Sequence, residues 1–430
     1  MLPQVWQSMR TAQNGDNMSS SIKLTAEGLA GSQTGKNLAI LMLCMAVLGE
    51  MCLAADFYGF ASVLSLVSGN LHLTESEAGL VQGAFGVSYA LGMLFWAPQG
   101  RKMSSRTLYL IGLGGSGALM IAQSYANTFA ELIILRLIIG FFDSAVWVGS
   151  MKIVMQWFSP KRQGLIMGII LGAYSLAITL DFALGLPYAM THSWRAFFVV
   201  LGVLTLAVTI IAQIVVRPGP YADPHDKTPG AGVFSAVFRS KWVWVGILGI
   251  FGDLFSIAAC ATWVIPAYIK TQGMNPAMAP MVGTIMGLSQ IVFLLIGGYL
   301  SDKLTRPGMI KAGVILTLLS ALLCVTTTIW PMHMNMLLLV ATLCGVGVFS
   351  GGAIFSLIGE KYGSDLGPSA AGYAEMGGVL ATFVAPALMG ALLTATQSFA
   401  VAFWSFVIVE ILVFIVLVVL LRPGNAQAAH

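Results

Sequence analysis

Charge is what this sequence has least of. Only 9% of its 430 residues are Asp, Glu, Lys or Arg, against about 25% in soluble globular domains, so a water-facing surface of that size cannot be covered. Disorder is excluded by a hydrophobic content of 57%, because such a chain has ample apolar surface to bury. Cysteine is scarce: Cys44, Cys52, Cys260, Cys324 and Cys344 form no C-x-x-C pair, which excludes a disulfide-stapled scaffold and leaves small apolar packing residues. His72, His192, His225, His333 and His430 show no metal-ligand spacing. A phosphate-cradling glycine loop ending in Lys-Ser/Thr is missing, which argues against ATP as an energy source. Basic excess is missing too, since 21 Lys+Arg against 17 Asp+Glu leaves +4, too little for a nucleic-acid partner.

What the sequence does have is long apolar runs. About 20 apolar residues cross a ~30 Å hydrocarbon core as a helix. Twelve such runs lie near 38–65, 75–97, 107–126, 129–157, 163–189, 195–216, 242–269, 277–300, 309–330, 335–360, 370–394 and 397–421. They are continuous rather than alternating, so helices are expected instead of a barrel. Lys and Arg set their orientation. Seventeen of the 21 fall on the termini and the loops that follow even-numbered spans, only Arg195 and Lys270 fall opposite, and Arg136 and Lys152 lie within a span. Both termini are therefore expected in the cytoplasm, and an odd number of spans would destroy the asymmetry. The Pro/Gly-rich stretch from Arg217 to Lys241 divides the chain into six spans plus six. The expected fold is an all-α membrane protein of two pseudo-symmetric six-helix bundles. A cytoplasmic tail over 1–37, bundles over 38–216 and 242–421, a linker over 217–241 and a tail over 422–430 complete the division. Parallel halves of this kind are a recurring transporter plan with the solute site near the midplane.

Ionisable residues inside spans cost at least ~2.5–3.5 kcal/mol each at the bilayer centre, so each is a functional candidate. They are Glu50 and Asp56, Arg136, Asp143 and Lys152, Asp181, Asp253, Glu375 and Glu410. Seven acids against two bases cannot all be ion-paired. A carboxyl removed from water favours its protonated form, the property a proton carrier needs. Arg136, Gly140, Asp143 and Trp147 share one face of the fourth span, with Arg136 and Asp143 ~10 Å apart along the axis, so each should meet a partner on another helix. Lys152 lies near the cytoplasmic end, where it can snorkel to water. Glu50 and Asp56 are six residues apart and should point into different surroundings. Glu375 sits in a run of small residues that admits a close protein neighbour, and Glu410, in the last span, reads as a packing contact.

The sequence resembles the major facilitator superfamily over its whole membrane region. GGYLSDKLTR carries Gly298, Asp302, Lys303 and Arg306 in the positions of that superfamily's loop after helix 8, whereas the equivalent PQGRKMSSRTL has lost its acid. Arg136 and Gly140 match the helix 4 R-x-x-x-G frame, and WFSPKRQG and SWRAFF also fit. Within the superfamily the chain is similar to the anion:cation symporters, importers of sugar acids and other organic anions. Asp56 is kept while the following Arg has become Phe57. Asp143, Trp157 and Phe158 continue the helix 4 frame, Tyr89 stands in Y-x-x-G, Trp263 in TWVIPAYI, and Glu375 replaces a frequent Asn.

The resemblance implies a secondary transporter working by alternating access, not an enzyme, with a proton as coupling ion and no cofactor. Asp56, Asp143 and Arg136 would couple the proton. Arg136, Glu375, Tyr89, Tyr58, Trp263 and Glu50 would contact the solute, and Gly298, Asp302, Lys303 and Arg306 would form a conformational gate. The expected partners are a small organic acid or amino-acid-like solute and the lipid bilayer of a bacterial inner membrane, with the protein a monomer. One alternative keeps the fold and reverses direction, giving a proton-driven exporter of cationic or amphipathic compounds. The other is a non-transporting membrane receptor.

Overall fold

The computed structural model describes residues 33–158, 160–220 and 233–422. Residues 1–32 of the expected tail, 221–232 of the linker and 423–430 lie outside the described residues. The first six spans are α1 (Gln33–Leu71), α2 (Glu75–Lys102), α3 (Ser105–Gln123), α4 (Phe129–Trp157), α5 (Pro160–Leu180, continued by Asp181–Gly185 and Leu186–Thr191) and α6 (Trp194–Val215). A short helix, Val233–Arg239, precedes the second six. These are α7 (Lys241–Gln272), α8 (Ala279–Lys303), α9 (Arg306–Ile329), α10 (Met334–Tyr362), α11 (Ser369–Thr396) and α12 (Phe399–Leu420). Among the described residues eleven of these helices are long and apolar enough to cross a membrane. The twelfth, α3, has 19 residues and is diluted by glycine and serine; it is wrapped by α4 and α6, where small residues permit close approach. The first helix starts five residues before the expected 38.

Polar caps mark the outer ends. Thr74 and Glu77 form a reciprocal capping box at α2, and Thr128 and Glu131 form another at α4, each satisfying two of the N–H groups a helix start leaves unpaired. Arg195 ties three outer loops of the first bundle together. It donates to Asn70 Oδ1 at 2.7 Å, and to Ala126 O and Asn127 Oδ1 at 2.9 Å each. Large apolar side chains recur at helical spacing on the outside, as with Ile408, Ile411, Leu412, Ile415 and Val419 of α12. An apolar belt of this kind is a liability in water and a fit to lipid.

Three helices depart from regular winding. α5 contains a π-helical turn at Asp181–Gly185, α10 tightens to a 3₁₀ turn at Cys344–Val348, and α11 breaks between Val379 and Ala381. Such irregularities inside helices mark hinges and functional sites.

The two bundles touch in their outer halves and part in their inner halves. On α2, Gly83 lies so close to α11 that a Cβ there would be 2.8 Å from Phe383 O, and Gly79 packs directly on Pro386. On α8, Gly283 and Gly287 leave no room for a side chain against Phe182 and Thr179 of α5. Residues 7 or 11 apart share a helix face. Gly168 and Gly172 thus continue the face of Thr179, and Gly298 that of Gly287. Among the described residues nothing lies within 4 Å of a Cβ placed on any of these three inner glycines. The molecule is closed on the outer side and open toward the side that carries the Lys/Arg-rich loops.

Candidate transport site

The acids of α1, α4 and α5 gather inside the first bundle. The Asp56 and Asp143 carboxyls adjoin each other, with Ser116 of α3 beside both. Asp181 reaches toward Asp56 from the π-helical turn of α5, its Oδ1 3.4 Å from where a Cβ on Gly59 would lie. Arg136 completes the set. Its guanidinium donates to the carbonyls of Asp56 (2.5 Å) and Phe57 (3.5 Å) and lies over the rings of Phe60 and Phe85, at 4.6 and 5.1 Å. Gln82 of α2 donates to the same Phe57 carbonyl at 3.2 Å. Arg136, Asp56 and Asp143 are completely buried, and among the described residues neither carboxylate has a hydrogen-bond donor within ordinary bonding geometry. Three carboxyls and one guanidinium buried together form a set whose charge state is costly unless it is balanced.

A second group spans the two bundles. Glu375 of α11 lies within electrostatic range of Glu50 of α1, and Tyr89 of α2 lies within range of Glu50, Glu375 and Asp143. Tyr174 of α5 adjoins Tyr58, Glu50 and Tyr89, its ring meeting that of Tyr58 edge-on at 5.5 Å. Glu375 is partly accessible, whereas Glu50, Tyr58 and Tyr89 are buried. Trp263 is buried where α7 meets the outer part of α11, 3.1 Å from the Cβ position of Gly390. Lys152 points away, to Met103 O at 3.1 Å near the inner end of α4.

The Major Facilitator Superfamily model matches residues 46–278 and 254–429. The chain belongs to this superfamily. Among its relatives are a probable L-galactonate transporter of Escherichia coli, 21% identical over 77% of this chain and 78% of that protein, and a probable galactarate/D-glucarate transporter of the same species, 23% identical over 78% and 84%. The fold matches a bacterial homologue of the human lysosomal transporter Spinster in an inward-facing, unoccupied conformation. The TM-score is 0.70 and the identity 15%, over 91% of this chain and 98% of that one. This is a multi-pass membrane transporter of the superfamily and not an enzyme.

In this superfamily member the loop after α8 is held locally. Arg306 pairs with Glu360 of α10 at 3.2 Å and also donates to Ser301 Oγ at 2.5 Å. Lys303 sits over the Tyr299 ring at 4.1 Å, Gly298 borders the inner opening, and the side chain of Asp302 is outside the described set. Sequence reasoning did not find Tyr174, Ser116, Glu360 or the hydroxyl partners of the C-terminal acids. Ser350 donates to both oxygens of Asp253 at 2.8–2.9 Å, and Thr317 donates to Glu410 at 2.8 Å. Serines, threonines and tyrosines are common in spans, so only the tertiary placement singles these out.

Proposed function

We propose that the protein is a proton-coupled symporter that imports a small polar organic solute, an organic acid or amino-acid-like molecule, by alternating access. It would act as a monomer in a bacterial inner membrane, without a cofactor. The observation that carries this reading is the adjoining Asp56–Asp143 pair, enclosed with Arg136 inside one bundle. A proton added there would neutralise a charge that water cannot reach, and its loss would restore it. Closing the inner half over a doubly ionised pair would be costly, and a ligand moves such an equilibrium only through differential affinity for the two states. Proton and solute together would supply that difference, with Glu50, Glu375, Tyr58 and Tyr89 contacting the solute; Trp263, expected beside them, lies instead in the outer closure next to Gly390. Bacterial relatives named for sugar-acid transport favour an organic acid.

A specific observation favours the opposite direction for a cationic substrate. Glu375 lies within electrostatic range of Glu50, while Arg136 is turned to the carbonyls of α1 and Lys152 to Met103. Proteoliposomes with an imposed pH gradient separate the readings. Accumulation of galactonate, galactarate or glucarate driven by inward protons supports import, and proton-driven depletion of an organic cation supports export. No proton-linked flux of either kind would leave a receptor. Asp143→Asn should abolish pH-driven accumulation while retaining counterflow exchange.

A further inference from the structure

Three of the five cysteines converge in the second bundle. Cys260 of α7, Cys324 of α9 and Cys344, the first residue of the 3₁₀ turn in α10, bring their sulfurs within 4.8 Å of one another, with Cys324 and Cys344 at 3.6 Å. All three are no more than 1% exposed. The sequence conceals this, because the three lie on separate helices and form no motif. Ser320, one turn before Cys324 on α9, buries its hydroxyl beside Cys344 with no other partner.

We propose that Cys260, Cys324 and Cys344 form a soft-metal site that takes one monovalent copper ion and fastens α7, α9 and α10 together in the outer half of the second bundle. Sulfurs ~2.3 Å from a common ion in a plane stand about 4.0 Å from one another, and these sulfurs lie at 3.6 Å for one pair and within 4.8 Å for all three. Thiolates select copper(I) and zinc among the first-row metals. A structural zinc completes a tetrahedron with a fourth ligand, and among the described residues no His, Asp or Glu joins the three cysteines. Copper(I) held by three sulfurs needs none. Each thiol that binds as thiolate passes its proton to water. The Ser320 hydroxyl is placed to donate to a metal-bound sulfur, the outer-shell contact that orients ligands and tunes affinity.

The test loads purified full-length protein with copper(I) under reducing conditions, removes loose ion with a copper(I) chelator and measures retained copper and thermal unfolding. Wild type should keep one copper per chain and unfold at a higher temperature than the copper-free protein. Cys260→Ser, Cys324→Ser and Cys344→Ser should each lose both effects, and Cys44→Ser, altering the exposed cysteine of α1, should keep them. Wild type that retains no copper overturns the proposal without any variant having to fold. Retention of zinc in preference to copper overturns it as well. Recovery of only three free thiols from copper-free, denatured, unreduced protein, with peptide mapping that places the disulfide between two of Cys260, Cys324 and Cys344, would overturn it.

Discussion

Arg136 shows how much of a membrane site a sequence reveals. Its place on one face with Gly140 and Asp143 is legible from spacing, and so is the cost of burying it. That its guanidinium turns to carbonyls of α1 and to the faces of Phe60 and Phe85 is not, because those groups lie on other helices, the α1 carbonyls 79 and 80 residues away along the chain. Replacing Arg136 with Leu leaves Asp56, Asp143 and Asp181 without a cation. Removing one partner from a buried charged set costs about 3–5 kcal/mol. Arg136→Lys keeps the charge but loses the planar fork and its stacking, so it should be intermediate. Thermal unfolding in detergent ranks the three, and a Leu variant as stable as wild type would deny the guanidinium this role. Glu375 differs because it is partly accessible and faces the other bundle; Glu375→Gln should change which solutes compete for uptake more than it changes proton dependence. A loss of coupling with unaltered preference would reverse that assignment.

At the scale of elements, the spans were legible because apolar length is a local property. Their irregularities were not, and two of them bring buried side chains to partners on other helices. The π-helical turn of α5 presents Asp181 to α1, and the junction that follows the 3₁₀ turn of α10 presents Ser350 to Asp253. Ser350 donates to both carboxylate oxygens, so Ser350→Ala leaves a buried acceptor unsatisfied, a loss of about 1–3 kcal/mol. Ser350→Thr keeps the hydroxyl but must fit beside Gly313, where a Cβ would lie 2.8 Å from Ser350 Oγ. The expected order of unfolding temperature is wild type first, with both variants below it. An unchanged Ser350→Ala protein would mean that Asp253 finds another donor.

Across the whole molecule, the two cations on the Lys/Arg-poor side have separate duties. Arg195 binds loops within one bundle, whereas Lys270 of α7 reaches Glu75 of α2 at 2.7 Å and so crosses between bundles. Ser76 N adds a bond to Thr394 Oγ1 at 2.8 Å beside it. Steric and electrostatic closure of the outer side can therefore be separated. Gly83→Ala pushes a methyl against Phe383 and should favour the outward-open state at any ionic strength. Lys270→Glu sets two like charges against each other, but the lysine is 58% exposed. Exposed pairs are worth at most about 1 kcal/mol, and the population should shift by no more than about five-fold. Spin labels at Tyr125 and Thr396, on outer ends of opposite bundles, report the separation. Both variants should lengthen it in low salt, and adding Glu75→Lys to Lys270→Glu should restore it. Near 1 M salt, where the screening length falls to ~3 Å, the Lys270→Glu effect should vanish while that of Gly83→Ala persists. If salt erased both, the outer closure would be held by charge, and the close α2–α11 packing would not be what keeps the inner side open.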